Sequence, residues 1–389
     1  MSETSLLSHS SPPTKSDFQS FIIAEIINKF GVITLNRPHA LNALHPYMFQ
    51  ELKRILENWK NDPSVEAVII KSNCDRAFSA GGDLRAVFDA RKNNDLEFLD
   101  FLFRQEYALD HLIHTYPKPY LSFIHGIVMG GGMGISINGC YRFMSETTKA
   151  AMPESKIGFF TDAGATHFLN KCPESIGLFV GLSGYISDIN DALFCGFATH
   201  FVPQNDHKAL FERIIAYDFT NTNQNAKHIT EHIKTCTEPY ERSHHTEKYE
   251  KSYLYTQQKT IQRFFSLSSV RDIMTSLEAC SQKTDDPDCE FAKTYYHCLQ
   301  QRSPTSLAVI YEQLTHGKTL KTFSDIMEYE YKLSQNFIKH HDFFEGIRSV
   351  IVDKDQNPSW QPKTLADVTH DFVSSHFQKQ NRPLFGAPF

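Results

Sequence analysis

Over its first half, the chain alternates short apolar runs with segments whose apolar residues recur every three or four positions, and this alternation limits its folds more than any other feature. The stretch "FIIAEIINKFGVITLNRP" predicts two strands joined by a turn near residues 28–31, a β-hairpin. "HPYMFQELKRILENWK" follows with the spacing of an amphipathic helix, and "VEAVIIK" has the continuous apolar character of a buried strand. Strands that alternate with helices predict an α/β layered core with parallel strands.

The same cycle continues as far as about residue 205. A helix is predicted over 95–115, followed by the strand "YLSFIHG", a glycine cluster that opens a helix, and the strand "CYRFMSE". Beyond that point the strand patterns end, and the polar, helix-leaning remainder includes a helix start at Ser303. We therefore expect an α/β core over 18–205 and a mainly helical C-terminal region over 206–389.

The composition excludes several classes of protein. The Ser/Thr-rich residues 1–17 predict a disordered N-terminal tail that lacks the apolar core of a secretory signal. A net charge of −6 and a pI of about 6.3 give no basic footprint for nucleic acid or an anionic membrane surface. No apolar run approaches the roughly 18 residues of a membrane span. The eight cysteines form no C-x-x-C pair, so we expect neither a disulfide framework nor a metal finger.

Two glycine clusters, "SAGGD" (79–83) and "MGGGMG" (129–134), each follow a predicted strand and precede a predicted helix. Backbone N–H groups at such a junction have no intrahelical partner, and glycine places no side chain over them. Two such groups aimed at one point would form an oxyanion hole, which stabilises negative charge that develops during acyl transfer. Alternatively, the glycines only allow close packing of helix on sheet. A dinucleotide site is a weaker interpretation, because neither cluster spells G-x-G-x-x-G.

A carboxylate lies on the apolar face of the helix predicted over 95–115. That face consists of Leu99, Leu102, Leu109 and Ile113. Glu106 falls in the gap between them, on the same side of the helix. A carboxylate on a buried face costs several kcal/mol unless it is hydrogen-bonded or faces a ligand. Glu106 is therefore either a site residue or one half of a structural salt bridge, for instance with Arg104.

Glu154 and Asp162 are the carboxylates of the apolar, glycine-containing stretch "AMPESKIGFFTDAGATHFL". Two carboxyl groups on adjacent loops in an apolar setting are a standard acid/base arrangement, because burial and mutual repulsion separate their pKa values. For Asp162 the alternative is a helix N-cap, since "AGA" follows it directly.

In order along the chain, "FSAGGD", "HGIVMGGGMG" and "MPESKIGFFTDAG" resemble the motifs of the crotonase superfamily of acyl-CoA enzymes. "EYALD", "GFATHFV", "RSPTSL" and "HDFFEGIRSVIVDKDQNPSW" resemble the 3-hydroxyisobutyryl-CoA hydrolase family within it. The resemblance spans roughly residues 20–375 and implies a crotonase-like α/β fold: a spiral core of repeated ββα units and a helical C-terminal region. It also implies hydrolysis of the thioester of 3-hydroxyisobutyryl-CoA, a step of valine degradation.

The resemblance assigns roles to individual residues. The family's oxyanion amides match Gly82 and Gly131, and its catalytic carboxyl pair matches Glu154 and Asp162. The glutamate of its E-Y motif contacts substrate and matches Glu106, the residue that the apolar face selects independently. The resemblance leaves open whether Glu154 attacks the carbonyl directly or activates a water.

Some positions depart from the patterns of the superfamily. Hydratases carry a second glutamate three residues past the middle glycine, where this chain has Gly134. Thr161 replaces the proline that usually precedes the aspartate, and Ala165 stands where glycine is common. The alternatives to the hydrolase are an enoyl-CoA hydratase or isomerase of the same superfamily and a non-catalytic scaffold on this fold.

The hydrolase interpretation implies few partners. CoA enters as part of the acyl-CoA substrate, and neither a metal nor an organic cofactor is expected. Arg85, near the start of a predicted helix, is a candidate contact for a CoA phosphate. The resemblance leaves room for a homo-oligomer, and the acyl group is either 3-hydroxyisobutyryl or 3-hydroxypropionyl. We expect a cytoplasmic protein if the source is bacterial, with the mitochondrial matrix as an option if it is eukaryotic.

Overall fold

Two β-sheets form the centre of the protein, whose computed structural model describes residues 14–219, 226–240, 249–378 and 382–385. The larger sheet has six strands in the order β1-β2-β3-β5-β7-β9, and the smaller has three in the order β4-β6-β8. The strands are β1 (Ile22–Ile27), β2 (Phe30–Leu35), β3 (Ala67–Ser72), β4 (Ala77–Ser79), β5 (Tyr120–Ile124), β6 (Ile127–Met129), β7 (Tyr141–Met144), β8 (Lys149–Ala151) and β9 (His200–Phe201).

The pairing of the strands agrees with the predicted α/β core. β1 and β2 form the predicted antiparallel hairpin, and Asn28 and Lys29 make its turn with φ of 44° and 63°. All other strand pairs of the two sheets are parallel. The smaller sheet was not predicted, because β6 and β8 span three residues each and are too short for a periodic pattern.

Helices cover the sheets and make up most of the chain beyond β9. Those of the core region are α1 (Lys15–Ser20), α2 (Pro46–Lys60), α3 (Leu84–Lys92), α4 (Leu96–His114), α5 (Gly131–Ile137), α6 (Ala165–Asn170), α7 (Ile176–Ser183) and α8 (Ile189–Phe194). Those that follow β9 are α9 (His207–Ile215), α10 (Ala226–Thr237), α11 (Tyr253–Thr256), α12 (Gln258–Phe265), α13 (Val270–Ser281), α14 (Cys289–Gln300), α15 (Pro304–Gly317), α16 (Phe323–Phe337), α17 (His341–Ile347) and α18 (His370–Ser375). A π-helical turn, Arg348–Val352, follows α17.

The C-terminal helices share one apolar cluster with the core. Phe179 of α7, for example, packs edge-on against Phe265 of α12 and Tyr295 of α14. The opposite face of the larger sheet is covered by α9 and α10, through a separate cluster that includes Leu121 and Ile233. The mainly helical character of the C-terminal region is as predicted, whereas its division from the core at residue 205 stays a prediction.

The prediction of a disordered tail over 1–17 is wrong for its last residues. α1 begins at Lys15, and Thr14 and Asp17 form a capping box in which each side chain accepts the other's backbone N–H. Phe18 anchors this helix, since its ring stacks on His45 at a centroid distance of 3.6 Å. Residues 1–13 lie outside the described residues. In the ranges that are described, no helix is both long and apolar enough to cross a membrane.

Candidate active site

A cavity of about 80 Å³ opens where the smaller sheet meets α4 and the 3₁₀ turn Glu154–Ile157. The sequence-predicted residues that line it are Gly82, Glu106, Gly131, Glu154 and Asp162. Three phenylalanines, Phe103, Phe159 and Phe343, form part of its apolar wall. The structure therefore brings together all the predicted site residues except Arg85.

The two glycine loops touch each other at the cavity. A Cβ atom built on Gly81, whose φ is 95°, would lie 2.8 Å from the Met129 carbonyl oxygen and 3.5 Å from the backbone nitrogen of Gly131. Leu44 fixes the first loop, because its N–H donates to the Gly81 carbonyl and its own carbonyl accepts from the Asp83 N–H. Within the described ranges, the amides of Gly82 and Gly131 donate to no protein acceptor. Two free N–H donors therefore flank the cavity, as an oxyanion hole requires.

Glu106 projects from α4 onto the glycine face of α5. It is 3% exposed, and a Cβ on Gly131 would overlap its Oε1. The salt-bridge alternative is wrong for Arg104, since that side chain pairs with Asp100 at 3.0 Å. Burial and the neighbouring carboxylates, Asp162 first among them, raise the pKa of Glu106 well above its usual value.

Asp110, one turn after Glu106 on α4, is a buried carboxyl group that the sequence analysis did not single out. It is fully buried, and both of its oxygens lack a hydrogen-bond partner among the described residues. A Cβ on Gly134 would lie 2.7 Å from Oδ1 and 2.9 Å from Oδ2 of Asp110. Burial and the charge of Asp162 raise its pKa well above the usual value. Its spacing of four from Glu106 was the available clue.

Glu154 opens the 3₁₀ turn beside the second glycine loop. Its Oε1 would lie 3.0 Å from a Cβ on Gly130, and its Oε2 has no hydrogen-bond partner in the part of the chain that is described. The side chain is 5% exposed, so burial raises its pKa well above the usual value, and the charge of Asp162 adds to this. Glu154 thus keeps one oxygen uncommitted at the same end of the cavity as the Gly131 amide.

Asp162 is held by a tyrosine. The hydroxyl of Tyr107, a fully buried residue of α4, donates to Asp162 Oδ2 at 2.9 Å. Burial raises the pKa of Asp162 to about 7, and the Tyr107 hydrogen bond opposes that rise. The N-cap alternative for Asp162 is wrong, because the N-cap residue of α6 is Gly164, which has no side chain to form a capping hydrogen bond. The sequence analysis missed Tyr107, because a tyrosine at this position in an apolar helix indicates an ordinary core residue.

The loop that carries Asp162 is tied to two C-terminal helices. Glu330 of α16 accepts the N–H groups of Gly164 at 2.7 Å and Thr166 at 2.8 Å. Gln313 of α15 donates to the carbonyl of Thr161 at 2.6 Å and to the hydroxyl of Thr166. The unusual Thr161 therefore fits this loop, since its own hydroxyl also donates to Gln313, at 3.3 Å.

Arg85 does not line the cavity. Its guanidinium donates to the carbonyl of Ile351 at 3.3 Å, and the residue is exposed. Contact with a CoA phosphate stays a prediction. Over the ranges that the structure describes, no group of three His, Cys, Asp or Glu side chains is arranged to hold a metal ion.

Comparisons with known proteins agree with the resemblance seen in the sequence. The family model described as "Enoyl-CoA hydratase/isomerase" matches residues 30–377. "3-Hydroxyisobutyryl-CoA hydrolase, mitochondrial" of Danio rerio is 37% identical over 92% of this chain and 89% of its own length. The protein of that name from Xenopus tropicalis is 39% identical over 89% of this chain and 86% of its own.

A solved structure gives the same fold. The carnitinyl-CoA dehydratase of Mycobacterium thermoresistibile superposes with a TM-score of 0.82 at 32% identity, and the match covers 94% of this chain and 98% of that one. The predicted crotonase-like α/β fold is thereby confirmed.

Proposed function

Because the chain belongs to the enoyl-CoA hydratase/isomerase family, and within it to the 3-hydroxyisobutyryl-CoA hydrolases, we propose that it hydrolyses 3-hydroxyisobutyryl-CoA to the free 3-hydroxy acid and CoA. The observation that carries the proposal is the convergence of two unpartnered amides and three buried carboxyl groups on one cavity of about 80 Å³. This size suits a 3-hydroxyisobutyryl or 3-hydroxypropionyl group.

The glycine amides would polarise the thioester. The carbonyl oxygen accepts hydrogen bonds from Gly82 and Gly131, and both donors shorten as negative charge develops on that oxygen. Loss of one such donor typically lowers the rate by roughly 10²–10³-fold. The positive ends of the peptide dipoles at the start of α5 add to the stabilisation.

Glu154 would act on the carbonyl carbon. Its unpartnered Oε2 and its position beside the second glycine loop support this role. In one route the carboxylate attacks the carbon, the C–S bond breaks, and water then hydrolyses the resulting anhydride. In the other, Glu154 takes a proton from water as the water attacks.

Asp162 would protonate the departing CoA thiolate. Its pKa of about 7 allows it to hold a proton at neutral pH and to release it during the reaction. We assign the substrate's 3-hydroxyl group to Asp162 and Glu106, which line the same cavity. Because Asp162 and Glu106 are buried close together, ionisation of one carboxyl group disfavours ionisation of the other. The reactive form of the pair would therefore hold one carboxylic acid and one carboxylate.

Hydration or dehydration is the second candidate, because the superposed solved structure is titled a dehydratase. Gly134 argues against it: this position has no side chain, and the carboxyl group of Asp110 fills the space where a side chain at 134 would begin. Asp110 itself does not line the cavity. Consumption of crotonyl-CoA without thiol release would favour this candidate.

A thiol-release assay with 3-hydroxyisobutyryl-CoA tests the proposal. We expect the wild-type protein to release CoA and Glu154→Gln to lose at least 10³-fold in kcat, because the amide can neither attack nor take a proton. Circular dichroism should show that the variant keeps its fold. Wild-type turnover by Glu154→Gln would contradict the role given to that residue.

The cellular setting follows from the same proposal. The relatives described above carry "mitochondrial" in their names, which supports the mitochondrial matrix if the source is eukaryotic. The reaction would belong to valine degradation and would need no cofactor beyond the CoA of the substrate. The intact set of site residues argues against a non-catalytic scaffold, and a homo-oligomer stays a prediction.

A further inference from the structure

The titratable groups that line the acyl cavity, among the described residues, are all acids. Glu106, Glu154 and Asp162 line it together with apolar residues and glycine backbone, and no Lys, Arg or His side chain of the described ranges contributes to its wall. Two more carboxyl groups, Asp110 and Glu330, are fully buried close behind these three. Among the described residues, none of these five carboxyl groups forms an ion pair.

We propose that this cavity also accepts and hydrolyses thioesters whose acyl group carries a protonated amine at carbon 3, with 3-aminopropionyl-CoA as the simplest example. The proposal rests on the thioester hydrolysis proposed above and names a second class of substrate for the same site. The bond changes are the same: water adds its oxygen to the acyl carbon, the C–S bond breaks, and the sulfur receives a proton. The products are CoA and a zwitterionic 3-amino acid.

Charge pairing favours an ammonium group at the position assigned to the 3-hydroxyl. An ammonium has three N–H donors, and Glu106 and Asp162 together present four carboxyl oxygens, one of which, Asp162 Oδ2, accepts the hydrogen bond of Tyr107. A buried charge is tolerated where it finds an opposite charge and hydrogen bonds, and charge-assisted bonds are roughly twice as strong as neutral ones. A carboxylate on the acyl group, as in malonyl-CoA, finds acids rather than a cation among the described residues of the cavity wall, and its charge opposes their ionisation.

Protons balance the charge when the ammonium binds. In the empty cavity, burial and the neighbouring acids raise the pKa of Glu106 and so favour its protonated form. A bound cation favours the carboxylate instead, and the proton leaves to solvent. Binding of the amino substrate therefore releases a proton that the hydroxy substrate does not displace.

The preference for a cation should strengthen as the acids ionise. The titratable groups that face Glu106 are Tyr107 and Asp110 on its own helix, Glu154 on the 3₁₀ turn, Asp162 on its loop and Glu330 on α16. Each carboxyl that loses its proton makes the cavity more negative. We expect the ratio of kcat/KM for the amino substrate to that for the hydroxy substrate to rise between pH 6 and pH 8.

Thiol release from a matched set of short thioesters tests the proposal at pH 7. The set is 3-hydroxypropionyl-CoA, 3-aminopropionyl-CoA and malonyl-CoA, which have acyl chains of the same length. We expect kcat/KM for the amino thioester to lie within tenfold of that for the hydroxy thioester, and that for malonyl-CoA to lie at least 100-fold lower.

A result in which the hydroxy thioester reacts but the amino thioester is as poor as malonyl-CoA would overturn this inference and leave the proposed function standing. If neither the hydroxy nor the amino thioester is hydrolysed, the inference and the proposed function are both overturned. If the amino thioester is hydrolysed and the hydroxy thioester is not, the inference is supported, and the main substrates would be 3-amino rather than 3-hydroxy thioesters.

Glu106→Gln separates charge pairing from general damage to the site. We expect this variant to lose at least tenfold more activity on the amino than on the hydroxy thioester, because the amide keeps its size but cannot become an anion. Glu97→Gln is the control: it makes the same change on the same helix at an exposed position, and both activities should stay as in wild type. Equal losses on the two thioesters in Glu106→Gln would contradict the proposal.

Discussion

At the scale of single residues, the bond between Tyr107 and Asp162 opposes the effect of burial on one acid of the cavity. The Tyr107 hydroxyl donates to Asp162 Oδ2 at 2.9 Å, and this hydrogen bond favours the ionised form of Asp162. Tyr107 reaches the reaction only through Asp162 and is therefore a positioning residue.

Replacing Tyr107 by Phe should move the pH dependence of the reaction. Loss of the hydrogen bond raises the pKa of Asp162 above about 7, so Asp162 keeps its proton to a higher pH. We expect the alkaline limb of the kcat–pH profile to shift upward. Tyr116→Phe removes a hydroxyl that donates to the carbonyl of Leu56, outside the cavity, and should leave the profile unchanged. Identical profiles for wild type and Tyr107→Phe would contradict the role of this bond.

The two glycines proposed to form the oxyanion hole, Gly82 and Gly131, should differ in their tolerance of a methyl group. A Cβ on Gly131 would overlap Glu106 Oε1 and lie 3.2 Å from Phe49 Cζ, whereas a Cβ on Gly82 would meet no atom of the described residues within 4 Å. Gly131→Ala must therefore displace Glu106, and we expect at least 100-fold loss of kcat/KM. Gly82→Ala should fold with the wild-type melting temperature, which thermal unfolding would measure. A Gly131→Ala enzyme with full activity would be incompatible with this packing.

The sequence alone predicted which residues meet at the cavity, but only part of how they are held. Glu106 stood out because a charge on an apolar helix face is costly, and the structure places it in the cavity wall. Asp110 and Tyr107 did not stand out. Their importance depends on Gly134 and on Asp162, which approach α4 only once the chain has folded.

At the scale of elements, α16 acts as a clamp on the loop that carries Asp162. Ala163 in this loop has a φ of 56°, a left-handed conformation that costs a residue with a side chain about 1–2 kcal/mol. Glu330 offsets part of that cost, since its two oxygens accept the N–H groups of Gly164 and Thr166 on either side of the start of α6.

Replacing Glu330 by Gln should loosen this clamp. An amide offers only one acceptor oxygen, so one buried N–H is left without a partner at a cost of about 1–3 kcal/mol. We expect a lower free energy of unfolding in urea together with a lower kcat. Glu312→Gln makes the same change at an exposed position of the adjacent α15 and should alter neither quantity. Wild-type stability in Glu330→Gln would show that the clamp is not needed.

Periodic elements were predictable and short ones were not. α2 and α4 lie within two residues of the predicted helices, because their apolar faces repeat over many turns. β6 and β8 escaped prediction, although with β4 they carry both glycine loops to the cavity. Three residues are too few for a pattern, and their pairing involves strands distant in sequence.

At the scale of the whole molecule, buried acids and buried histidines act on stability in opposite directions. Burial raises the pKa of Asp162 from 3.8 to about 7 and that of Glu330 from 4.5 to about 8. The folded protein then holds protons that the unfolded chain has released, so stability falls as the pH rises through this range. Burial lowers the pKa from 6.5 to about 4 at His45, His167, His207 and His376. Stability from these histidines is lost as the pH falls from 6.5 to 4.

These opposing effects should offset each other between about pH 4.5 and 6.5, where both sets of groups titrate. Above pH 6.5, Asp162 and Glu330 are the groups of these two sets that still affect stability. We therefore expect the unfolding temperature to fall between pH 6.5 and 8.5. Below about pH 4.5 the histidines should lower it again. Calorimetry across this range checks the prediction, and an unfolding temperature that rises from pH 6.5 to 8.5 would contradict it.

The C-terminal region belongs to the active site as well as to the fold. Phe343 of α17 lines the cavity and stacks on Phe159 at a centroid distance of 4.2 Å. Glu330 and Gln313 hold the Asp162 loop from the same region. The sequence predicted helices here but not these contacts, because they join residues more than 140 positions apart.

The contact between Gly134 and Asp110 constrains the order in which this site could have diverged. With the carboxyl oxygens of Asp110 2.7–2.9 Å and the Cβ of Ala163 2.9 Å from the place of a Cβ, a larger residue at 134 fits only if these neighbours move or become smaller. A lineage gaining a new acid at 134 would therefore need compensating changes around Asp110 and Ala163, and a substitution at 134 made first is expected to destabilise the fold. Sterics thus couple position 134, where this chain departs from the hydratase pattern, to Asp110 on α4.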